Sequence, residues 1–197
     1  MDLVILKNKT KIVVIGGNAA GPAAAAKAKR VNSDAEVILF EKSPFISTGT
    51  CELPYLFDNT IDDYKKTIFF DADSFLRDKG VKVYVNSPVI NINRKNKQLT
   101  ANFNNNEQKV LNYDKLILAT GSVVEPIANF NIQQLNYSTI KSISDYIKIS
   151  DYLKINKVKN ISIIGAGYTG LEIAETLSNA GYNINLFDKL GEPLSYY

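Results

Sequence analysis

The stretch Ile161-Ser162-Ile163-Ile164-Gly165-Ala166-Gly167-Tyr168-Thr169-Gly170 decides the fold: a short β-branched run is followed at once by G-x-G-x-x-G. Such a run favours a buried parallel strand, and the glycines suit a tight strand-to-helix turn whose backbone can approach a pyrophosphate. Leu171 to Ala180 reads as helix, and Gly181 stands where the helix end wants a left-handed residue. Asn183 to Phe187 is the next strand, closed by Asp188 at 23 residues from Gly165. An acid near this spacing accepts hydrogen bonds from an adenosine ribose in dinucleotide-binding βαβ units.

The same grammar occurs earlier in the chain. Lys11 to Ile15 is a strand ending in Gly16-Gly17-Asn18-Ala19-Ala20-Gly21, Ala19 to Arg30 has the composition of a helix, and Val37 to Phe40 runs into Glu41, 25 residues after Gly16. Asn18 takes the place of the middle glycine, and Asn tolerates unusual backbone angles better than most residues. Gly16, Gly17 and Gly21 with Glu41 form one candidate nucleotide site, and Gly165, Gly167 and Gly170 with Asp188 the other. Two such units predict an α/β chain built on two Rossmann-like dinucleotide-binding domains.

Between the units, Val81 to Val85, Val89 to Asn93, Gln98 to Phe103 and Gln108 to Leu111 predict an antiparallel meander inserted in the first domain. Lys115 to Ala119 is a further strand, and Ser142 to Ile155 has apolar residues at helical spacing. The expected division is a first domain over 1–122, a linker over 123–141 and a second domain over 142–197. That second domain stops at its second strand and reads as truncated, because a doubly wound sheet normally has five or six strands.

Composition narrows the chemistry. The 197 residues are 45% hydrophobic and 22% charged, with a net charge of +3, too small a surplus to mark nucleic acid or an anionic membrane as a partner. No His occurs, which removes imidazole bases, Ser-His-Asp triads and His-ligated metal sites. One Cys allows neither an internal disulfide nor a zinc or iron–sulfur cluster, and no metal is expected. The lone thiol, Cys51, fits a reducing cytoplasm and is a candidate nucleophile. The N-terminus lacks the apolar run of a signal peptide, and the alanines at 23–26 are interrupted by Lys27, Lys29 and Arg30, far short of a membrane span. The expectation is a cytoplasmic protein.

A third motif follows the first unit: Ser47-Thr48-Gly49-Thr50-Cys51-Glu52-Leu53-Pro54-Tyr55. Taken with the first turn, Phe40-Glu41-Lys42, Tyr113 to Gly121 and Gly165 to Glu175, in this order, it resembles the single-cysteine pyridine nucleotide-disulfide oxidoreductases. Among these it is most similar to the coenzyme A-disulfide reductases, with NADH oxidases and peroxidases as relatives. The resemblance covers the chain from Lys11 onward. It implies FAD in the first domain, NAD(P)H in the second, and Cys51 as a redox cysteine cycling through a mixed disulfide or sulfenic acid. Asp188, expected to bond a ribose diol and repel a 2′-phosphate, favours NADH over NADPH.

Carried over residue by residue, the resemblance adds Lys42, Thr120 and Gly121 to the FAD site. It places Ser47 at the thiol substrate and Lys27, Arg30 and Lys79 toward the phosphates of coenzyme A. Tyr168 is the expected gate over the flavin, and Glu172 the acid near the nicotinamide. Two positions depart from the family: Thr50 stands where an Asn is usual, and Glu52 where a small residue is usual. A carboxylate beside Cys51 slows thiolate chemistry unless it points away. The function implied is NAD(P)H-linked reduction of coenzyme A disulfide or a related thiol or polysulfide. NADH oxidase or peroxidase chemistry through a Cys51 sulfenic acid is the alternative, and a catalytically silent nucleotide-binding fragment is another. The family is homodimeric at full length, whereas the 197 residues alone are not expected to dimerise and are expected to show little reductase turnover.

Overall fold

A computed structural model describes residues 9–103, 107–125 and 136–194. Two units are present, one formed by Met1–Thr48 with Ile68–Val123 and the other by Gly49–Thr67 with Val124–Tyr197. In the first, the β-branched run becomes β1 (Lys11–Ile15), followed by α1 (Ala20–Val31), β2 (Glu36–Phe40) and the short strands β3 (Ile46–Thr48) and β4 (Ile68–Phe70). Then come α2 (Ala72–Lys79), β5 (Lys82–Tyr84), β6 (Val89–Asn93), β7 (Gln98–Asn102), β8 (Gln108–Asn112) and β9 (Lys115–Leu118).

The main sheet has the order β5-β2-β1-β9 and is parallel throughout. Period-2 alternation divides its side chains between two cores. Val14, Val37 and Leu39 pack on Ala25 of α1, Phe75 of α2 and Val81. Val13, Ile38 and Phe40 face the other way, against Leu99 and Ala101 of β7 and Tyr113. Each fully buried Val, Leu or Phe here stabilises the unit by roughly 1.5–3 kcal/mol. The sheet is thus covered by helices on one face and by the antiparallel sheet β6-β7-β8 on the other.

The meander expected from the sequence contains three of the four predicted runs. Val81 to Val85 goes elsewhere: β5 pairs parallel with β2 through Ile38↔Lys82 to Phe40↔Tyr84. The reason is α2, which returns the chain across the sheet as a crossover and so forces a parallel strand. The sequence carries its signals. The Asp71 carboxylate accepts the Ser74 N–H at 2.7 Å, the Ser74 hydroxyl accepts the Asp71 N–H at 3.0 Å, and Gly80 ends the helix at φ +67°.

The second unit contains α3 (Ile143–Ile155), β10 (Asn160–Ile164), α4 (Tyr168–Asn179) and β11 (Asn183–Phe187). α3 begins where its periodicity predicts, with Ser142 as N-cap accepting the Asp145 N–H at 3.2 Å. β10 and β11 pair in parallel from Asn160↔Asn183 to Ile164↔Phe187. Ile161, Ile163 and Ile184 turn inward onto Leu153 of α3 and Ile173 and Leu177 of α4. Asn160, Ser162, Ile164, Asn183, Asn185 and Phe187 are exposed. Residues 126–135 of the expected linker lie outside the described residues.

Candidate functional site

The two glycine turns are the same device built twice. Gly16 takes φ +106° and donates its N–H to the Phe40 carbonyl at 2.8 Å; Gly165 takes φ +107° and donates to the Phe187 carbonyl at 2.7 Å. The next residue reaches the acid at the end of the second strand. Gly17 N–H meets Glu41 Oε2, and Ala166 N–H meets Asp188 Oδ2, each at 2.6 Å. A second backbone N–H, from Ser43 at 2.8 Å and from Leu190 at 2.9 Å, holds the other carboxylate oxygen. The Ala166 and Leu190 amides hold the Asp188 carboxyl below its usual range, Ala166 contributing most. Each carboxylate keeps unused lone pairs, so both remain able to accept ribose hydroxyls while already aimed.

The last glycine of each turn lets the helix seat against the turn. A Cβ on Gly21 would collide with the Gly16 carbonyl oxygen, and one on Gly170 with the Gly165 carbonyl oxygen. Gly16 is also closed in, because a Cβ there would strike the Ala119 carbonyl at the end of β9. This close approach puts the Ala119-Thr120-Gly121 corner, with Gly121 at φ +66°, beside the first turn. Gly16, Gly17, Gly21, Glu41, Thr120 and Gly121 therefore meet at the carboxyl end of the first sheet, the end that takes ligands in open α/β sheets. Lys42 follows Glu41 there, exposed.

Helix capping sets these turns apart. α2 and α3 carry side-chain caps, whereas α1 and α4 start at Ala19 and Gly167 with no side-chain cap and no acid in the first turn. Uncapped amides and the positive helix end suit a pyrophosphate. Gly167 has open space where a Cβ would stand. The donor sets and the glycine cradles fit a dinucleotide at both turns. Tyr168 opens α4 and is 58% exposed, while Glu172 is half-buried one turn later.

Asn18 has no unusual φ, so backbone tolerance is not its role. Its side-chain oxygen accepts the Thr48 hydroxyl at 2.7 Å, and the neighbouring Gly17 carbonyl accepts the Ser47 N–H at 2.7 Å. The first turn is thereby laced to β3, the strand that leads into the cysteine motif. Ser47 itself sits at φ +50°. The pairing of Asn18 with Thr48 is not readable from spacing, because the two are joined only through the tertiary fold.

Cys51 is exposed in a 3-10 turn over Thr50–Glu52. Glu52 folds its carboxylate back toward Gly49, 2.6 Å from where a Cβ of that glycine would lie. Lys27 and Arg30 are exposed on α1, and the Lys79 ammonium rests 5.0 Å from the centre of the Phe70 ring. Lys29 between them is structural, donating to the carbonyls of Ser33 and Ala35. No group of three or more metal-ligating side chains occurs among the described residues, and no described helix is long and apolar enough to cross a membrane.

Comparison with known proteins agrees with this architecture. The pyridine nucleotide-disulphide oxidoreductase family matches residues 10–197. The coenzyme A disulfide reductase of Staphylococcus aureus strain JH9 is 31% identical over 180 residues, which are 91% of this chain and 40% of that protein. The crystal structure of reduced Bacillus anthracis CoADR-RHD superimposes with a TM-score of 0.91 at 28% identity, over 95% of this chain and 34% of that one. The NAD-dependent persulfide reductase from A. fulgidus gives 0.84 at 29% identity, over 90% and 33%. The chain spans about 40% of the length of the coenzyme A disulfide reductases it matches.

Proposed function

Because this chain belongs to the pyridine nucleotide-disulphide oxidoreductase family, we propose that it carries the nucleotide sites and the redox cysteine of an FAD- and NADH-dependent disulfide reductase. The observation that carries this reading is the presence, in one chain, of two glycine turns built alike and a single exposed cysteine. In this reading the first turn, with Glu41, Lys42, Thr120 and Gly121, holds FAD. The second, with Tyr168 and Glu172 at the helix that follows it, holds the pyridine nucleotide. Asp188 favours NADH, since a carboxylate bonds a ribose diol and repels a 2′-phosphate.

Cys51, as its thiolate, attacks one sulfur of a disulfide R–S–S–R, forming Cys51–S–S–R and expelling R–S⁻, which takes a proton from water. Reduction of that mixed disulfide by two electrons, which the FAD and NADH of the holoenzyme supply, releases the second thiol and restores the Cys51 thiolate. Exposure of Cys51 suits attack on a diffusible disulfide. Coenzyme A disulfide or a related thiol or polysulfide is the substrate class, supported by likeness to the S. aureus and A. fulgidus enzymes. Lys27, Arg30 and Lys79 would then meet phosphate groups and Ser47 the thiol end. A reducing cytoplasm is the matching compartment, with a homodimer expected for a chain of the relatives' full length.

The test is thiol release from coenzyme A disulfide with NADH, in protein of the relatives' full length, wild type and Cys51→Ser, since the 197 residues alone are expected to show little turnover. The variant is expected to keep its flavin absorbance and lose thiol production. Undiminished thiol release by Cys51→Ser would remove Cys51 from the mechanism. NADH consumption that yields water or peroxide without thiol would replace disulfide exchange with sulfenic acid chemistry.

A further inference from the structure

The segment Gly49–Thr67 begins with the cysteine turn and closes on itself, the Gly49 N–H donating to the Thr67 carbonyl at 2.8 Å. In chain order it lies between β3 and β4 of the first unit, yet its contacts group it with the second. Its apolar side chains explain the assignment. Leu53, Pro54 and Leu56 are buried, and Phe57 packs against the cluster of Leu153, Ile173 and Leu177. The Phe57 ring meets Tyr146 of α3 edge-on, with centroids 5.1 Å apart, and the Tyr146 hydroxyl donates to the Leu56 carbonyl at 3.3 Å. The Asp58 carboxylate accepts a side-chain hydrogen bond from Asn179, the last residue of α4. α4 is the helix that opens on the second glycine turn.

From these contacts we propose that Phe57 and Tyr146 are positioning residues for Cys51, coupling the reactivity of its turn to dinucleotide occupancy of the turn at Gly165–Gly170. The proposal rests on the reading of that turn as a dinucleotide site. A ligand on the uncapped end of α4 stiffens the helix against which Phe57 packs. Fluctuations of the Cys51 segment that withdraw Phe57 from Ile173 and Leu177 then become rarer. By linkage the converse holds, and a Cys51 segment seated on α4 favours the ligand-competent turn. Cys51 is open in the seated segment, so the coupling acts by depopulating the withdrawn, more reactive form of the turn and not by covering the thiol.

Cys51 is the only cysteine, so its alkylation by iodoacetamide, followed by mass spectrometry, reports one site. The ligand is ADP-ribose, which carries the adenosine and pyrophosphate but no nicotinamide, added to protein presaturated with FAD. Saturating ADP-ribose is expected to slow Cys51 alkylation roughly 5-fold, at the low end of couplings between distinct sites. Phe57→Ala should alkylate faster without ligand and lose the response to ADP-ribose while still binding it by calorimetry. Phe57→Leu, which refills the apolar site, should recover most of the response. A Phe57→Ala protein that binds ADP-ribose and keeps the wild-type response overturns the proposal. Should that variant not fold, Tyr146→Phe replaces it, deleting only the hydroxyl contact; a weakened response supports the coupling and an unchanged one rejects it. Failure of the wild type to bind ADP-ribose would instead count against the second turn as a nucleotide site. The anchor is then judged on ligand-free rates, faster alkylation in Phe57→Ala supporting it and identical rates refuting it.

Discussion

Gly167 and Gly170 stand three residues apart in one motif, yet a methyl group means different things at each. Alanine is favoured over glycine inside a helix by about 1 kcal/mol. At Gly170 that gain is outweighed, because the new Cβ meets the Gly165 carbonyl oxygen, a backbone atom that cannot swing aside. Overpacking of this kind costs about 1–3 kcal/mol. Gly167 has an ordinary backbone angle and open space around the missing Cβ, so its alanine variant perturbs the fold little. The space it would fill is the one the proposed pyrophosphate approaches. Gly170→Ala is therefore expected to lower the Tm of the chain by roughly 2–8 °C. Gly167→Ala should leave Tm nearly unchanged and weaken NADH binding about tenfold or more, a loss of about 1.4 kcal/mol. Thermal denaturation and fluorescence titration check the pair, and equal effects of the two substitutions on both readouts would show that the turn does not approach a ligand.

At the scale of elements, each βαβ unit is pinned by an acid that accepts amides from its own turn. The Asp188 carboxyl lies below its usual range because Ala166 and Leu190 donate to the charged form. A depressed folded-state value means that these bonds are complete above the ordinary aspartate range and are lost only as pH falls through the lowered value. A carboxyl-detected NMR titration should therefore give Asp188 a lower midpoint in the folded chain than in urea; an equal or higher midpoint would show that the pin is absent. How much of this was legible in the sequence follows from the same elements. Glycine spacing, β-branched runs and terminal acids are local patterns, and they mark β1, α1, β2, β10, α4 and β11 within a few residues. Val81 to Val85 reads as part of a meander because alternation cannot tell a parallel edge strand from a hairpin strand. Only the Asp71–Ser74 capping box, which reveals α2, makes the difference. The cysteine motif is legible as a pattern, whereas the contacts that seat its segment are not. Phe57 and Tyr146 lie far apart in the chain and meet only through apolar burial.

Across the molecule, the two βαβ units differ in how completely their sheets are buried, and stability should follow. In the first, Val13, Val14, Val37, Ile38, Leu39 and Phe40 are all nearly inaccessible, because helices cover one face of the sheet and the β6-β7-β8 sheet the other. In the second, β10 and β11 alternate between half-buried and exposed residues, and the register pair Ile164↔Phe187 is left 54% and 57% exposed. A strand buried on one face gives up part of the stabilisation that a doubly covered strand receives, about 1.5–3 kcal/mol for each large side chain left in water. The amides of β10 and β11 are expected to open more readily than those of β1 and β2, by about 2 kcal/mol or a ~30-fold difference in hydrogen-exchange protection. NADH should narrow that gap, raising protection at Ala166 to Gly170 and along α4, since a ligand that binds only the folded turn shifts the local opening equilibrium. Hydrogen–deuterium exchange of the 197-residue chain, with and without NADH, reads both quantities at once. Equal protection of the two strand pairs would mean that the exposed face of β10 and β11 costs the unit nothing. Unchanged protection at the second turn on adding NADH would mean that the glycine device there is a structural corner alone.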